Sequence, residues 1–170
     1  MIEEWFNLYA DDIYSFLVYM VKDAELAKDL TQDTFVLAIR GIHKFRQEGN
    51  PKSWLFAIAR NVALSHLRSK KREVATTDSL FNKLVSSMES PEQSAERQEI
   101  RALLFSILDD MKPEYRAVIV CREVLGMSSN ETAQALGWTS SRVRVTLHRA
   151  LKSAKKQIAE RGIEHGLAGF

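Results

Sequence analysis

Seven residues near the C-terminus have the types and spacing to engage a polyanion. Arg142, Arg144, His148, Arg149, Lys152, Lys155 and Lys156 share one side of a helical period. Val143, Leu147, Ala150 and Ala154 recur at i, i+4, i+7 and i+11 on the other. Lysine and arginine neutralise phosphates, and arginine also reads base edges. A second cationic block lies upstream: residues 40–72 hold nine bases against Glu48, a net of +8. Residues 142–161 hold seven bases against Glu160, a net of +6. Residues 1–37 hold eight acids against Lys22 and Lys28, a net of −6. The overall net charge of +2 hides this asymmetry. Two basic blocks point to two contacts with a polyanion, and the acidic start points to a face turned toward a basic protein.

Bond-making chemistry finds no support. His43, His66, His148 and His165 are scattered, without metal-ligand spacing to a Cys or carboxylate. No phosphate-cradling glycine motif and no nucleophile motif is present. Asp11-Asp12 and Asp109-Asp110 are adjacent acids, the ordinary pattern of a solvated helix surface. The expectation is a protein that is not an enzyme and takes no cofactor and no metal. Cys121, the one cysteine, sits beside Val118, Ile119 and Val120 and belongs in a core. No signal peptide and no apolar run of membrane-spanning length is found in the 170 residues, so a cytoplasmic protein without direct membrane insertion is expected.

The basic stripe needs a scaffold. Ser128 and Glu131 have the spacing of a capping box, Gly137 can end a short helix, and Thr139, Ser140 or Ser141 can start the next. With small Ala133 before the turn and Val143 after it, the pattern is that of a helix-turn-helix whose second helix is free to enter a major groove. Upstream, Trp5 to Val21 fits an amphipathic helix. Asp23 can cap a second helix with Leu26, Ala27, Leu30, Thr34, Leu37 and Ala38 inward, and Asp29, Gln32, Asp33 and Val36 off that stripe. After a loop at Phe45 to Ser53, Ser53 can cap a helix from Trp54 to about Ser69. Its Trp54, Leu55, Ile58, Ala59, Val62 and His66 face inward, and Ala57, Asn61 and Arg68 gather elsewhere, flanked by Arg60 and Leu64.

Residues 73–96 read as a flexible acidic linker, rich in Ser, Thr and Glu. A strong helical pattern resumes at Arg97 to Asp110, and Pro113 suits the first turn of another helix. Residues 162–170 read as a tail. The fold class is all-α: two small helical domains, 1–72 and 97–161, joined by the linker.

Two sets of motifs resemble a known family. Asp29-Leu30-Thr31-Gln32-Asp33-Thr34-Phe35, Phe45-Arg46, Trp54-Leu55-Phe56-Ala57-Ile58-Ala59-Arg60-Asn61 and His66-Leu67-Arg68 resemble region 2 of the extracytoplasmic-function (ECF) sigma factors of the sigma-70 superfamily. Pro113-Glu114-Tyr115-Arg116, Glu131-Thr132-Ala133, Leu136-Gly137 and Leu147-His148-Arg149-Ala150 resemble their region 4. The resemblance implies an RNA polymerase specificity subunit. Asp29, Gln32, Asp33 and Val36 would bind the β′ clamp helices of the core enzyme. Asn61, Arg60, Arg68, Lys70, Lys71 and Arg72 would hold and melt the −10 element. Ser141, Arg142, Arg144, Val145, His148, Arg149 and Lys152 would read the −35 element, with the β flap as a further contact. An anti-sigma factor is an implied partner. The sequence departs from the family in a reshaped loop at 46–53, and in Thr146, which stands where the family usually has arginine.

Two other readings compete. A freestanding helix-turn-helix regulator would need a dimer interface and a palindromic site. A protein-binding adaptor would use the cations only as a solvated face, and its binding would be insensitive to salt.

Overall fold

The computed structural model describes residues 1–46, 49–72 and 95–161. Among them every regular element is helical. The N-terminal lobe is a three-helix bundle: α1 (Ile2–Val21), α2 (Ala24–Gly41) and α3 (Pro51–Arg72). The C-terminal lobe comprises α4 (Ala95–Asp109), α5 (Pro113–Ile119), α6 (Ser129–Leu136) and α7 (Ser140–Glu160). The linker expected at 73–96 lies outside the described residues except for its last two, which open α4, and the tail at 162–170 lies outside them entirely.

In α1, Ile13, Phe16, Leu17 and Met20 point into the bundle and are buried. The helix ends at Lys22, whose backbone takes the left-handed conformation (φ 59°) while its N–H donates to Val18 O. Asp23 then caps α2, its carboxylate accepting from Leu26 N at 3.0 Å. Thr31 and Thr34 are buried in α2 because their hydroxyls donate to the carbonyls of Ala27 and Leu30, which satisfies them without a tertiary partner. One expectation for this helix fails. Leu37 is 44 % exposed, whereas Phe35 is buried and takes the edge of the Phe6 ring.

A short 3-10 turn, Ile42–Lys44, leads into the loop before α3. Trp5, Phe45 and Trp54 form an aromatic cluster with centroids 4.9 to 6.1 Å apart, which ties the loop to α1 and α3. Trp54 is therefore packing, as its helical position implied. Gly49 is required by close approach: a Cβ there would lie 3.0 Å from the Arg46 carbonyl oxygen. Ser53 is not the cap of α3. The helix begins earlier, at Pro51, and Asn50 Oδ1 accepts from Ser53 N. Phe56, which the sequence reading left off the inward face, is fully buried and meets Phe16 edge-on at 5.4 Å.

In the second lobe, Pro113 opens α5 as expected. A π-turn at Val120–Val124 follows, where Leu125 N donates to Val120 O five residues back. Cys121 is fully buried there, and burial pushes its thiol up to about 12. Arg161 at the end of α7 donates to the Ser106 hydroxyl and pairs with Asp110 at 2.6 Å, holding α7 against α4.

The lobes touch directly. Tyr19 stacks on Phe105 at 4.4 Å with an interplanar angle of 18°. Lys22 pairs with the Asp109 carboxylate and donates to its backbone carbonyl. The start of α3 packs on α6.

Candidate nucleic-acid interface

The helix-turn-helix is built from local signals. Ser128 Oγ accepts from Glu131 N at 3.1 Å, and the Glu131 carboxylate accepts from Ser128 N at 2.7 Å, completing the capping box. These bonds, the Ser128 backbone N–H first, hold the Glu131 carboxyl below its usual range. At the other end of α6, Gly137 has φ 67°. Its N–H donates to Gln134 O, and Trp138 N donates to Ala133 O, a Schellman closure. Of the three possible caps for α7, Thr139 takes the role, accepting from Arg142 N at 3.1 Å.

On α7, Val143 and Ala150 are buried, and Leu147, Leu151, Ala154 and Ile158 pack partly against the core. Opposite them, Ser141, Arg142, Arg144, Val145, His148, Arg149 and Lys152 are all exposed. At about 100° per residue they cover an arc of roughly 160°, with Ser141, Lys152 and Val145 near its centre. Val145 is 50 % exposed, an apolar side chain amid cations. Arg142 is held in place: its guanidinium lies 4.3 Å from the Trp138 ring centroid and 3.0 Å from Glu114. Arg144 donates to Ser141 Oγ.

On α3, Asn61, Arg68 and Lys70 are exposed, as the sequence placed them. Lys71 and Arg72 continue the helix, and their side chains lie outside the described residues. Arg60 is half-buried. Burial, and then the nearby Arg142 charge, lower the pKa of its guanidinium, while Glu114 opposes the shift. One cation from each lobe thus shares a neighbourhood with Glu114.

The third surface is the outer face of α2, where Asp29, Gln32, Asp33 and Val36 are exposed together. The sequence reading missed its apolar content. Ile39 (57 %) and Leu37 (44 %) flank Val36, and Phe6 and Leu8 on α1 are also exposed. Val36, Leu37 and Ile39 thus lie exposed on α2 beside Asp29, Gln32 and Asp33, an apolar patch with a polar rim. The available signal was that Val36 and Ile39 fell off the inward stripe, while Leu37 was placed on it.

Among the described residues no group of three or more His, Cys, Asp or Glu could hold a metal ion. No described helix is long and apolar enough to cross a membrane.

Comparison with known proteins follows the same division. The model of sigma-70 region 2 matches residues 5–73, which is α1 to α3, and that of sigma-70 region 4 matches residues 101–153. The ECF RNA polymerase sigma factor SigX of Bacillus subtilis is 34% identical over 165 residues, covering 92% of this chain and 85% of that protein. SigM of the same organism, also an ECF sigma factor, is 30% identical, covering 95% and 97%. The fold is similar to that of the sigma factor RpoE from Bartonella quintana, solved with the anti-sigma factor NepR. The TM-score is 0.72 at 21% identity, over 92% of this chain and 96% of that one. The chain belongs to the ECF RNA polymerase sigma factors, which are non-enzymatic transcription initiation factors.

Proposed function

We propose that this protein is an alternative sigma factor that engages core polymerase through the outer face of α2, the −35 element through α7 and the −10 element through α3. The observation that carries this reading is the exposed arc of α7. All seven side chains expected to read DNA are exposed on one face, while the opposite face is fixed to the lobe.

A B-DNA major groove of about 12 Å admits such a helix. Arg144, Arg149 and Lys152 would neutralise phosphates, Arg142 would reach a base edge, and Val145 offers an apolar contact to a thymine methyl. On α3, Asn61 presents an exposed amide that can read a base taken out of the stack, with Arg60, Arg68, Lys70, Lys71 and Arg72 along the strand. Melting would require no ATP, because capture of the strand offsets a few kcal/mol of unpairing per base. The acidic and amide rim around Val36 suits helices that present basic side chains around an apolar centre, as the β′ clamp helices would. The C-terminal lobe would also meet the β flap. An anti-sigma factor that holds the protein at the membrane would complete the set of partners.

Run-off transcription with purified core polymerase, with and without this protein, tests the proposal. Promoter-specific transcripts are expected only when the protein is present. Their absence across a library of genomic templates would sink it.

A further inference from the structure

We infer that Trp138 and Glu114 are positioning residues that make Arg142 a reader of a guanine edge in the −35 element rather than one more phosphate-binding cation; the inference rests on the sigma-factor reading above. Arg142 is the third residue of α7. The N-terminal residues of a recognition helix are the ones that reach base edges. The Arg142 backbone is fixed by Thr139, whose hydroxyl accepts from Arg142 N at 3.1 Å. Its side chain has two holds. The Trp138 ring centroid lies 4.3 Å from the guanidinium carbon, and one guanidinium nitrogen donates to the Glu114 carboxylate at 3.0 Å.

Trp138 is itself held. Its backbone N–H donates to Ala133 O at 2.8 Å in the turn, and its half-buried ring packs on the core of the lobe. A fixed aromatic face against a guanidinium orders in advance a long side chain that would otherwise lose rotamer freedom on binding. The exposed ion pair with Glu114 would hold Arg142 only weakly by itself. The ring therefore supplies the placement, and the carboxylate supplies discrimination.

The Arg142–Glu114 pair carries no net charge, so a phosphate gains little from approaching it and is repelled by Glu114. A neutral base edge meets no such repulsion, and guanine offers O6 and N7 to the two arms of the guanidinium fork. Arg144, Arg149 and Lys152 on the same arc have no carboxylate partner among the described residues and keep the ordinary attraction to phosphates. One helix thus carries cations of two kinds, distinguished by their neighbours.

Run-off transcription by core polymerase with the full chain, on promoter templates randomised across −35 and identified by sequencing the transcripts, measures base preference position by position. The parent should favour guanine at least about fivefold at one position that Arg142→Ala makes indifferent. Trp138→Ala should lower that preference about threefold or more and leave the other −35 positions unchanged, whereas a loosened helix-turn-helix would weaken them all. Trp138→Phe, which keeps an aromatic face, should recover most of the loss. In fluorescence anisotropy with a labelled duplex carrying the preferred −35 sequence, Glu114→Gln should steepen the slope of log Kobs against log salt by about 0.9, as for one more phosphate neutralised. Arg60 also lies near Glu114. The Glu114→Gln/Arg142→Ala variant decides which cation is released, and its slope should return to the parent's. An unchanged guanine preference in Trp138→Ala, a loss spread evenly over −35, a Trp138→Phe no better than Trp138→Ala, or a slope unmoved by Glu114→Gln would each overturn the inference. Transcripts together with any of these results refute the inference alone, and no transcript from any template refutes the sigma-factor reading and the inference with it.

Discussion

Lys152→Gln on the outer arc of α7 turns the exposed cations into a measurable quantity. Arg142 is engaged by Glu114, and Lys156 lies 3.7 Å from Glu160. Arg144, Arg149, Lys152 and Lys155 are exposed and have no carboxylate partner among the described residues. Four phosphates neutralised at about 0.9 each give a slope of about −3.6 in log Kobs against log salt, a loss of about 150-fold between 50 and 200 mM. Removing one of the four should bring the slope to about −2.7 and the loss to about 40-fold. Fluorescence anisotropy of a labelled duplex, titrated with the full chain at several salt concentrations, measures both without the salt dependence of polymerase. Lys152 makes no ion pair among the described residues, so its replacement should leave thermal stability unchanged. A parent slope near zero, or a variant slope equal to the parent's, would refute the reasoning. Either result would make the cations a solvated face, as the adaptor reading holds.

Three further outcomes follow from the side-chain environments. Asn61→Ala, at an exposed position, should leave core-polymerase binding intact in a pull-down while run-off transcription falls at least about fivefold, from the loss of about 1–3 kcal/mol of base recognition. Phe56→Ala, which empties a fully buried site against Phe16, should cost about 3–5 kcal/mol in denaturant unfolding. Glu131 has a folded-state pKa below its ordinary value of 4.5. Its stabilising effect should therefore be complete above that value and fade as pH falls through the lower, folded-state one. The Tm difference between the parent and Glu131→Gln should be constant above about pH 5 and shrink on further acidification, whereas a difference independent of pH would contradict the assignment.

What was legible in the sequence was local. The Ser128/Glu131 capping box, the left-handed Gly137, the Asp23 cap and the Val143–Ala150 stripe all act within a few residues, so spacing alone locates them. The exposed seven of α7 follow from that stripe by subtraction. What was not legible depends on packing between elements. Ser53 looks like a helix cap because its neighbours suit one, yet its hydroxyl serves Glu131, 78 residues on. Nothing beside Arg116 in the sequence signals burial, yet it is buried and reaches the carbonyl of Met20, 96 residues away. Leu37 was assigned inward on hydrophobicity, though Phe35 fills that direction and Leu37 joins the outer apolar patch. The sequence anticipated two lobes with a linker between them, and nothing in the period of either lobe encodes the contact they make.

Permanganate footprinting of a promoter identified by run-off transcription tests the central claim most directly, because it reports unpaired thymines without requiring a transcript. With core polymerase and this chain together, and no nucleotides, thymines around −10 should become reactive, and Asn61→Ala should suppress that signal. With core polymerase alone the duplex should stay protected. Reactivity that appears without the chain, or a duplex that remains protected when both are present, would contradict the assignment of this protein as a promoter-melting sigma factor.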